Sequence, residues 1–425
     1  MIILAMSCRE CPTEPDYDIY MTAEDVFSTS VVLNVSLPDS GNVSAFSLTR
    51  DDSTVATYTC YDDDTLIVDE DLTPNTDYIY RVRFLKDGKT KSESDPVSVH
   101  TMDTTSHDFT WEIDTLGNYG SYLKDAWIVD ENNIWVVGAL VIDDSTSLYS
   151  GQQNYNVAKW NGVTWNYELI GAPGITGEGI FYFSDNDIWV ATGIIYHWNG
   201  NEWERYHLWN MGVLDDEDGG VTAIWGASPS DIYFVGRKGS IVHYDGSTFT
   251  KMESPSATQL LEVAGSSDGE YVFAAGYDVV LPTKTTALMI HNDSVEEMYY
   301  SDYLVPQTTA DYGAISAVDV CGNYAYFVTY KGLWKNNFKN DISTIDKRIK
   351  NYQYAEVHVQ AHNDIFFIGG GFKYVHYNGL SYDFNDTFYT NYSFATYGGD
   401  FKGDIAVITG YTKSLSNGIA AVGRR

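Results

Sequence analysis

Basic residues are scarce. Lys and Arg total 25 against 59 Asp and Glu in 425 residues, a formal charge of −34. A field of that sign repels nucleic acid and anionic membrane surfaces, so neither is expected as a partner. Long apolar runs are missing too, so no membrane-spanning helix is expected. Cysteine is sparse, at four: Cys8, Cys11, Cys60 and Cys321. Cys8 and Cys11 form a single CxxC pair. Without a second pair or a βαβ context, neither a zinc site nor a redox motif is expected. No Ser-His-Asp signature, P-loop or dinucleotide motif appears.

Aromatic and turn-forming residues are abundant. Phe, Trp and Tyr make up 15% of the chain, Tyr alone numbering 34, and Gly numbers 36. That composition suits strands. No long apolar pattern of helical period appears, so an all-β fold is expected. The opening MIILAMSC resembles the end of a lipoprotein signal, with a short apolar run and small residues before Cys. The resemblance implies a partial signal and tether over residues 1–12 and lipidation at Cys8. It implies an exported protein, anchored at the outer membrane or cell surface, or secreted.

Residues 13–102 read as short alternating strands between turn residues. The stretch DLTPNTDYIYRVRF carries Leu72, Pro74, Thr76, Tyr78 and Val82. It resembles the E–F corner of fibronectin type III domains. The resemblance implies a two-sheet sandwich whose corner residue, Tyr78, hydrogen-bonds back to the loop before it. Such a module is expected to be a spacer, followed by a linker over 103–107.

From residue 108 a unit repeats. Its middle reads NNIWVVG, NDIWVAT, SDIYFVG, GEYVFAAG, NYAYFVT, NDIFFIG and GDIAVIT. Taking Ile134, Ile188, Ile232, Val272, Ala325, Ile365 and Ile405 as equivalent, the steps are 54, 44, 40, 53, 40 and 40 residues. That spacing gives one four-stranded propeller blade per repeat, with two insertions. Continuous hydrophobicity means that the strand is covered on both faces, as between two blades. A second pattern follows, as in VAKWNGVTW, IYHWNGNEW and IVHYDGSTF. These strand pairs are expected to meet at two-residue type I′ turns made by Asn-Gly or Asp-Gly. The last unit lacks a fourth strand. Phe109–Gly117, with Trp111, is expected to supply it and close a seven-bladed propeller over 108–425.

Four histidines, His197, His243, His291 and His376, share one register. Equivalent positions in different blades are rotated about the ring axis, so these histidines are expected to serve the repeat rather than a metal. Asp187, Asp231, Asp364 and Asp404 precede the buried strand and are expected to bond their own turns. The D/N-G-x-T-W pattern partly matches the S-x-D-x-G-x-T-W box of sialidase-type propellers. The Ser is unmatched and an Arg cluster is missing, so sialidase activity is not expected. Asp215, Asp216 and Asp218 in LDDEDGG are a candidate Ca²⁺ site, the one cofactor the sequence offers, without EF-hand spacing.

The longer insertions fall where the loop after the buried strand and the loop between blades open on one face. They carry Tyr149, Tyr155, Trp209, Tyr299, Tyr300, Tyr303, Tyr312, Tyr389 and Tyr392. Rigid aromatics beside acids and amides suit sugar stacking or protein recognition. As a whole the chain resembles bacterial surface proteins that join a fibronectin type III module to a propeller of DIWxVG-type repeats. The resemblance implies export and binding, and no reaction. One expected function is a monomeric surface protein whose loop face binds a glycan or a surface protein. A second is a carbohydrate-active hydrolase or lyase with acids in the propeller funnel. A third is a structural part of a surface assembly. Enzyme chemistry needs two or more titratable groups converging in the funnel.

Overall fold

A computed structural model describes residues 19–36, 45–59, 64–86, 88–144, 151–278, 284–302, 312–340, 342–349, 354–386, 394–414 and 416–425. The chain divides into two compact units, Met1–Thr105 and Ser106–Arg425.

The first unit holds two antiparallel sheets. One pairs Tyr20–Val26, Val31–Ser36 and Asp64–Asp69. The other orders Ser53–Tyr58, Ala45–Arg50, Asp77–Lys86 and Lys89–Glu93, with Val97–His100 also on Asp77–Lys86. Alternate residues of a strand share a face. Val31, Leu33 and Val35 therefore meet Phe46, Leu48, Val82 and Phe84 in one core. Tyr78 Oη accepts the Thr73 N–H at 3.0 Å. Buried Asp69 accepts from Arg50 and from Tyr80 Oη, both at 2.7 Å.

The second unit holds seven four-stranded antiparallel sheets among the described residues. Their first strands are Tyr122–Asp130, Gly179–Ser184, Val221–Ser228, Glu262–Gly265, Ile315–Cys321, Tyr354–Ala361 and Phe394–Lys402. Each packs against the next, and the seventh packs back against the first. A closed ring of radial sheets is a β-propeller, and each sheet is a blade. The repeated apolar stretch is the second strand. In blades five and six, Tyr324–Thr329 and Asp364–Gly369 are buried at every position. Thr110–Leu116 completes blade seven, pairing from Leu116 opposite Gly418 to Thr110 opposite Arg424. Trp111 lies over Gly423, where a Cβ would sit 2.8 Å from its ring. Its Nε1 donates to Tyr374 Oη at 3.1 Å.

Two local expectations are corrected. The outer hairpins are not two-residue turns. Trp160 pairs with Trp165 and Trp198 with Trp203, leaving four residues in each loop. Asn199 Oδ1 accepts the N–H groups of Asn201 and Glu202, both at 3.0 Å. Asn161, Asp245 and Asn378 do the same in their blades. The side-chain oxygen mimics a backbone turn, so only the Gly needs positive φ. Gly200 sits at φ 87°. Its bare face lies on Asn186, where a Cβ would come within 2.8 Å. The two-residue turn occurs where the pattern is degenerate: Asn292 and Asp293, at φ 51° and 59°, join paired His291 and Ser294.

The repeated aspartates also act differently. Asp187, Asp231 and Asp364 reach across to His197, His243 and His376 at 2.9, 2.8 and 2.7 Å. Trp189 stacks on His197 with ring centres 4.0 Å apart, and Tyr233 on His243 at 4.5 Å. Asp404 meets Arg425 Nε at 3.1 Å instead. The four histidines lie in separate blades.

Candidate ligand channel

Hairpin register decides which side chains face the ring axis. Each first strand runs from the loop-rich end to the polar turn, and the second strand returns. The fourth residue of each repeat, counted from the equivalent apolar positions, faces Asp125, Gly179, Ala223, Glu262, Ala317, Glu356 or Gly399. The second residue faces Trp127, Phe181, Trp225, Ala264, Asp319, His358 or Phe401. Residues two apart share a face. All of these except Ala317 line one cavity of about 410 Å³, walled by all seven first strands. Of the residues between them, Ile180, Val263 and Val357 are buried.

The channel thus has two tiers. Nearer the loop-rich end, Asp125, Glu262 and Glu356 come from blades one, four and six. The other four blades give only Gly or Ala, which leaves the lumen open between the acids. Gly398 makes room directly, since a Cβ there would collide with Glu356. Below lies a mainly aromatic tier. Trp127 and Phe181 stand 4.6 Å apart between ring centres. At the loop-rich end Glu178 is held by Lys124 at 3.4 Å and Arg237 at 3.5 Å.

The aspartates of the wall spend their oxygens on the backbone. Asp125 accepts Ala126 N–H at 2.7 Å and Ile180 N–H, in the next blade, at 2.9 Å. Asp400 accepts Phe401 N–H at 2.7 Å and Ile128 N–H, across the ring closure, at 2.6 Å. Asp319 clasps Val320 and, in blade six, Val359. Glu356 pairs with His358 Nε2 at 3.3 Å. Glu262 accepts no hydrogen bond and forms no ion pair among the described residues; only burial and neighbouring charge act on it.

Burial pushes the Asp125 and Glu262 carboxyls well above the usual range, with Glu356 adding like charge to both. Burial likewise pushes Asp319 up to about 6, against the pull of His358. Glu356 and Asp400 are raised by burial and partly held down by His358. Burial opposes charge on His358, but the Glu356 hydrogen bond and the charge of Asp400 outweigh it and push the imidazole up to about 9. These groups keep an edge in the lumen: the side chains of Glu356, Asp400 and His358 are 11, 16 and 22% exposed.

The residues singled out from the sequence lie elsewhere. Tyr155 packs in blade one, 5.9 Å from Tyr167. Tyr299 is buried, and Tyr312 stacks on Trp334 at 4.4 Å. Tyr300 sits in an outer strand opposite Thr286. Trp209 donates to the Asp215 carbonyl at 2.9 Å. Asp218 pairs with Lys251 at 2.8 Å, and Lys238 reaches the Glu217 carbonyl at 3.0 Å. Among the described residues no three His, Cys, Asp or Glu are grouped to hold a metal ion, at Asp215, Asp216 and Asp218 or elsewhere. Tyr149, Tyr303, Tyr389, Tyr392 and Cys8 lie outside the described residues. The channel acids carry no shared motif and lie outside the repeated apolar stretches. Counting back across each polar turn from the apolar strand finds them.

The chain is similar to several solved structures. YCF48 bound to D1 peptide matches with a TM-score of 0.53 at 13% identity, over 76% of this chain and 100% of that one. The C-terminal WD40 domain of Sif2 matches over 74% of this chain and 98% of that one, at 10% identity and a TM-score of 0.44. A Bacteroides thetaiotaomicron protein of unknown function matches over 97% of this chain and 99% of that one, at 12% identity and a TM-score of 0.41. No protein-family model and no curated protein matches the chain. At such identity the likeness to YCF48 establishes the β-propeller fold alone.

Proposed function

We propose that this is a non-enzymatic binding protein whose propeller recognises a segment of a partner protein at the loop-rich mouth of its channel. The division of labour among the channel acids carries this reading. Asp125, Asp319 and Asp400 are each committed to two backbone N–H groups, one in their own strand and one in the neighbouring blade. Two-carboxylate hydrolysis needs an acid and a base that are both available. Glu356 is engaged by His358, which leaves Glu262 alone. A protein ligand is favoured over a glycan because Tyr155, Tyr299 and Tyr312 are used in packing within and between blades. YCF48, similar in fold, is bound to D1 peptide. The same reading takes the first unit as a fibronectin type III-like spacer, with Tyr78 at its corner, and Cys8 as a lipid anchor on an exported, monomeric chain.

The test is to pan a random-peptide library and a glycan array against the full chain. Peptide enrichment that weakens in Glu178→Lys supports the reading. Glycan binding with no peptide enriched contradicts it. The hydrolase or lyase reading stands second, because Glu262 and Glu356 do converge in one lumen. Bond cleavage in a glycan mixture, lost in Glu262→Gln, would establish it.

A further inference from the structure

We propose that the acid tier of the channel receives one organic cation, the ammonium or guanidinium head of a Lys or Arg side chain from the bound partner. This deepens the binding reading and rests on it.

Three observations bear on it. The first is an unanswered carboxylate. Glu262 is partly buried in the wall of the lumen, and no donor or cation reaches it among the described residues. A carboxylate in such a wall loses part of its hydration, and no protein group replaces what is lost, so a cation entering the lumen would be the first to answer it. The second is space. The tier is one in which Gly179, Ala223, Ala317 and Gly399 hold the remaining positions, so the lumen beside Glu262 is open rather than packed. The third is the tier beneath. Trp127, Phe181, Trp225 and Phe401 line the same cavity. Aromatic rings attract alkylammonium and guanidinium groups and accommodate their methylenes.

Charge around the lumen has the required sign. Asp125, Glu178, Glu262, Asp319, Glu356 and Asp400 line it against two cationic groups, His358 and Lys402. His358 is already engaged by Glu356, Lys402 reaches the Val129 carbonyl at 3.2 Å, and Lys124 and Arg237 are engaged by Glu178. None of them serves Glu262. A metal ion is the poorer occupant, since no three ligating groups are gathered for one. A guanidinium or ammonium needs only one direct carboxylate and an aromatic surface.

The test uses the full chain and small probes: n-butylguanidinium, n-butylammonium, neutral n-butylurea and calcium chloride, at fixed ionic strength. Isothermal titration measures binding, and loss of the ligand-induced change in tryptophan emission in Trp127→Phe locates it in the channel. The expected result is saturable binding of both organic cations, none of the urea, and at least a tenfold loss in Glu262→Gln. Asp216→Asn, on the acidic loop outside the channel, serves as the control for nonspecific charge and should bind normally. Equal affinity in wild type and Glu262→Gln overturns the proposal, as does no binding of either cation. Calcium competing as well as the organic cations also overturns it. Peptides that bind the propeller regardless of Lys or Arg content would sink this inference and leave the binding reading standing. Failure of all peptides would sink both.

Discussion

Replacing Arg425 by Met should cost the propeller about 3 kcal/mol, the low end of the range for breaking a buried ion pair. Arg425 grips Asp364 with two nitrogens, at 2.6 and 3.0 Å, with side-chain exposures of only 6 and 3%. Phe109 and Phe401 lie 5.3 Å from its guanidinium carbon on ring centres. Its contact with Asp404, whose side chain is 74% exposed, adds at most about 1 kcal/mol. The low end applies because Asp364 keeps His376 and Gln360 as donors, at 2.7 and 2.8 Å. Asp364→Asn added to Arg425→Met should recover most of the loss, since no buried charge is then left unpaired. Burial alone would raise the Asp364 carboxyl, but His376 and Arg425 outweigh it and hold it below its ordinary value. Its contribution is therefore complete above about pH 4 and is lost as pH falls through the folded value. All 11 tryptophans lie beyond residue 105, so tryptophan emission in a urea titration reads the propeller without the first unit. Arg425→Met within about 0.5 kcal/mol of wild type would refute this role for the Arg425–Asp364 pair.

Glu262→Gln should make the ligand-free chain more stable at neutral pH. The wild-type carboxyl is raised, so its favourable state lies below its unfolded value near 4.3 and is lost as pH rises. Urea midpoints from pH 4 to 8 should fall less steeply in the variant. Gly200→Ala should lose about 1–2 kcal/mol, from a left-handed backbone and contact with Asn186. Thermal melts followed by tryptophan emission would detect it. Burial pushes the Cys321 thiol up to about 11. It should resist a thiol reagent at pH 8 until urea unfolds the propeller, which mass mapping of the labelled peptide would establish.

The blades were legible because a strand covered on both faces must be apolar throughout, and that signature survives sequence drift. The closing strand was legible because a blade with three strands exposes an edge. The outer turns were misassigned because Asn-Gly serves both a two-residue turn and a four-residue loop held by the Asn oxygen. The paired register of the flanking aromatics separates the two cases, as at Trp198 and Trp203. The Asp–His pairs were missed for a related reason. Their members are ten or twelve residues apart and meet only once adjacent strands are aligned. The channel acids were hidden in first strands that share no motif, LKDAW in blade one, LEVAG in blade four and AEVHV in blade six. Their convergence is a property of the ring, since residues more than two hundred positions apart meet only after closure.

Hydrogen–deuterium exchange on the full chain, with and without a peptide recovered by panning, tests most directly whether the propeller channel is the binding site. Protection should concentrate at the loop-rich ends of the first strands, around Tyr122–Asp125, Glu262 and Glu356. Protection confined to the first unit or to the outer strands of the blades would contradict it.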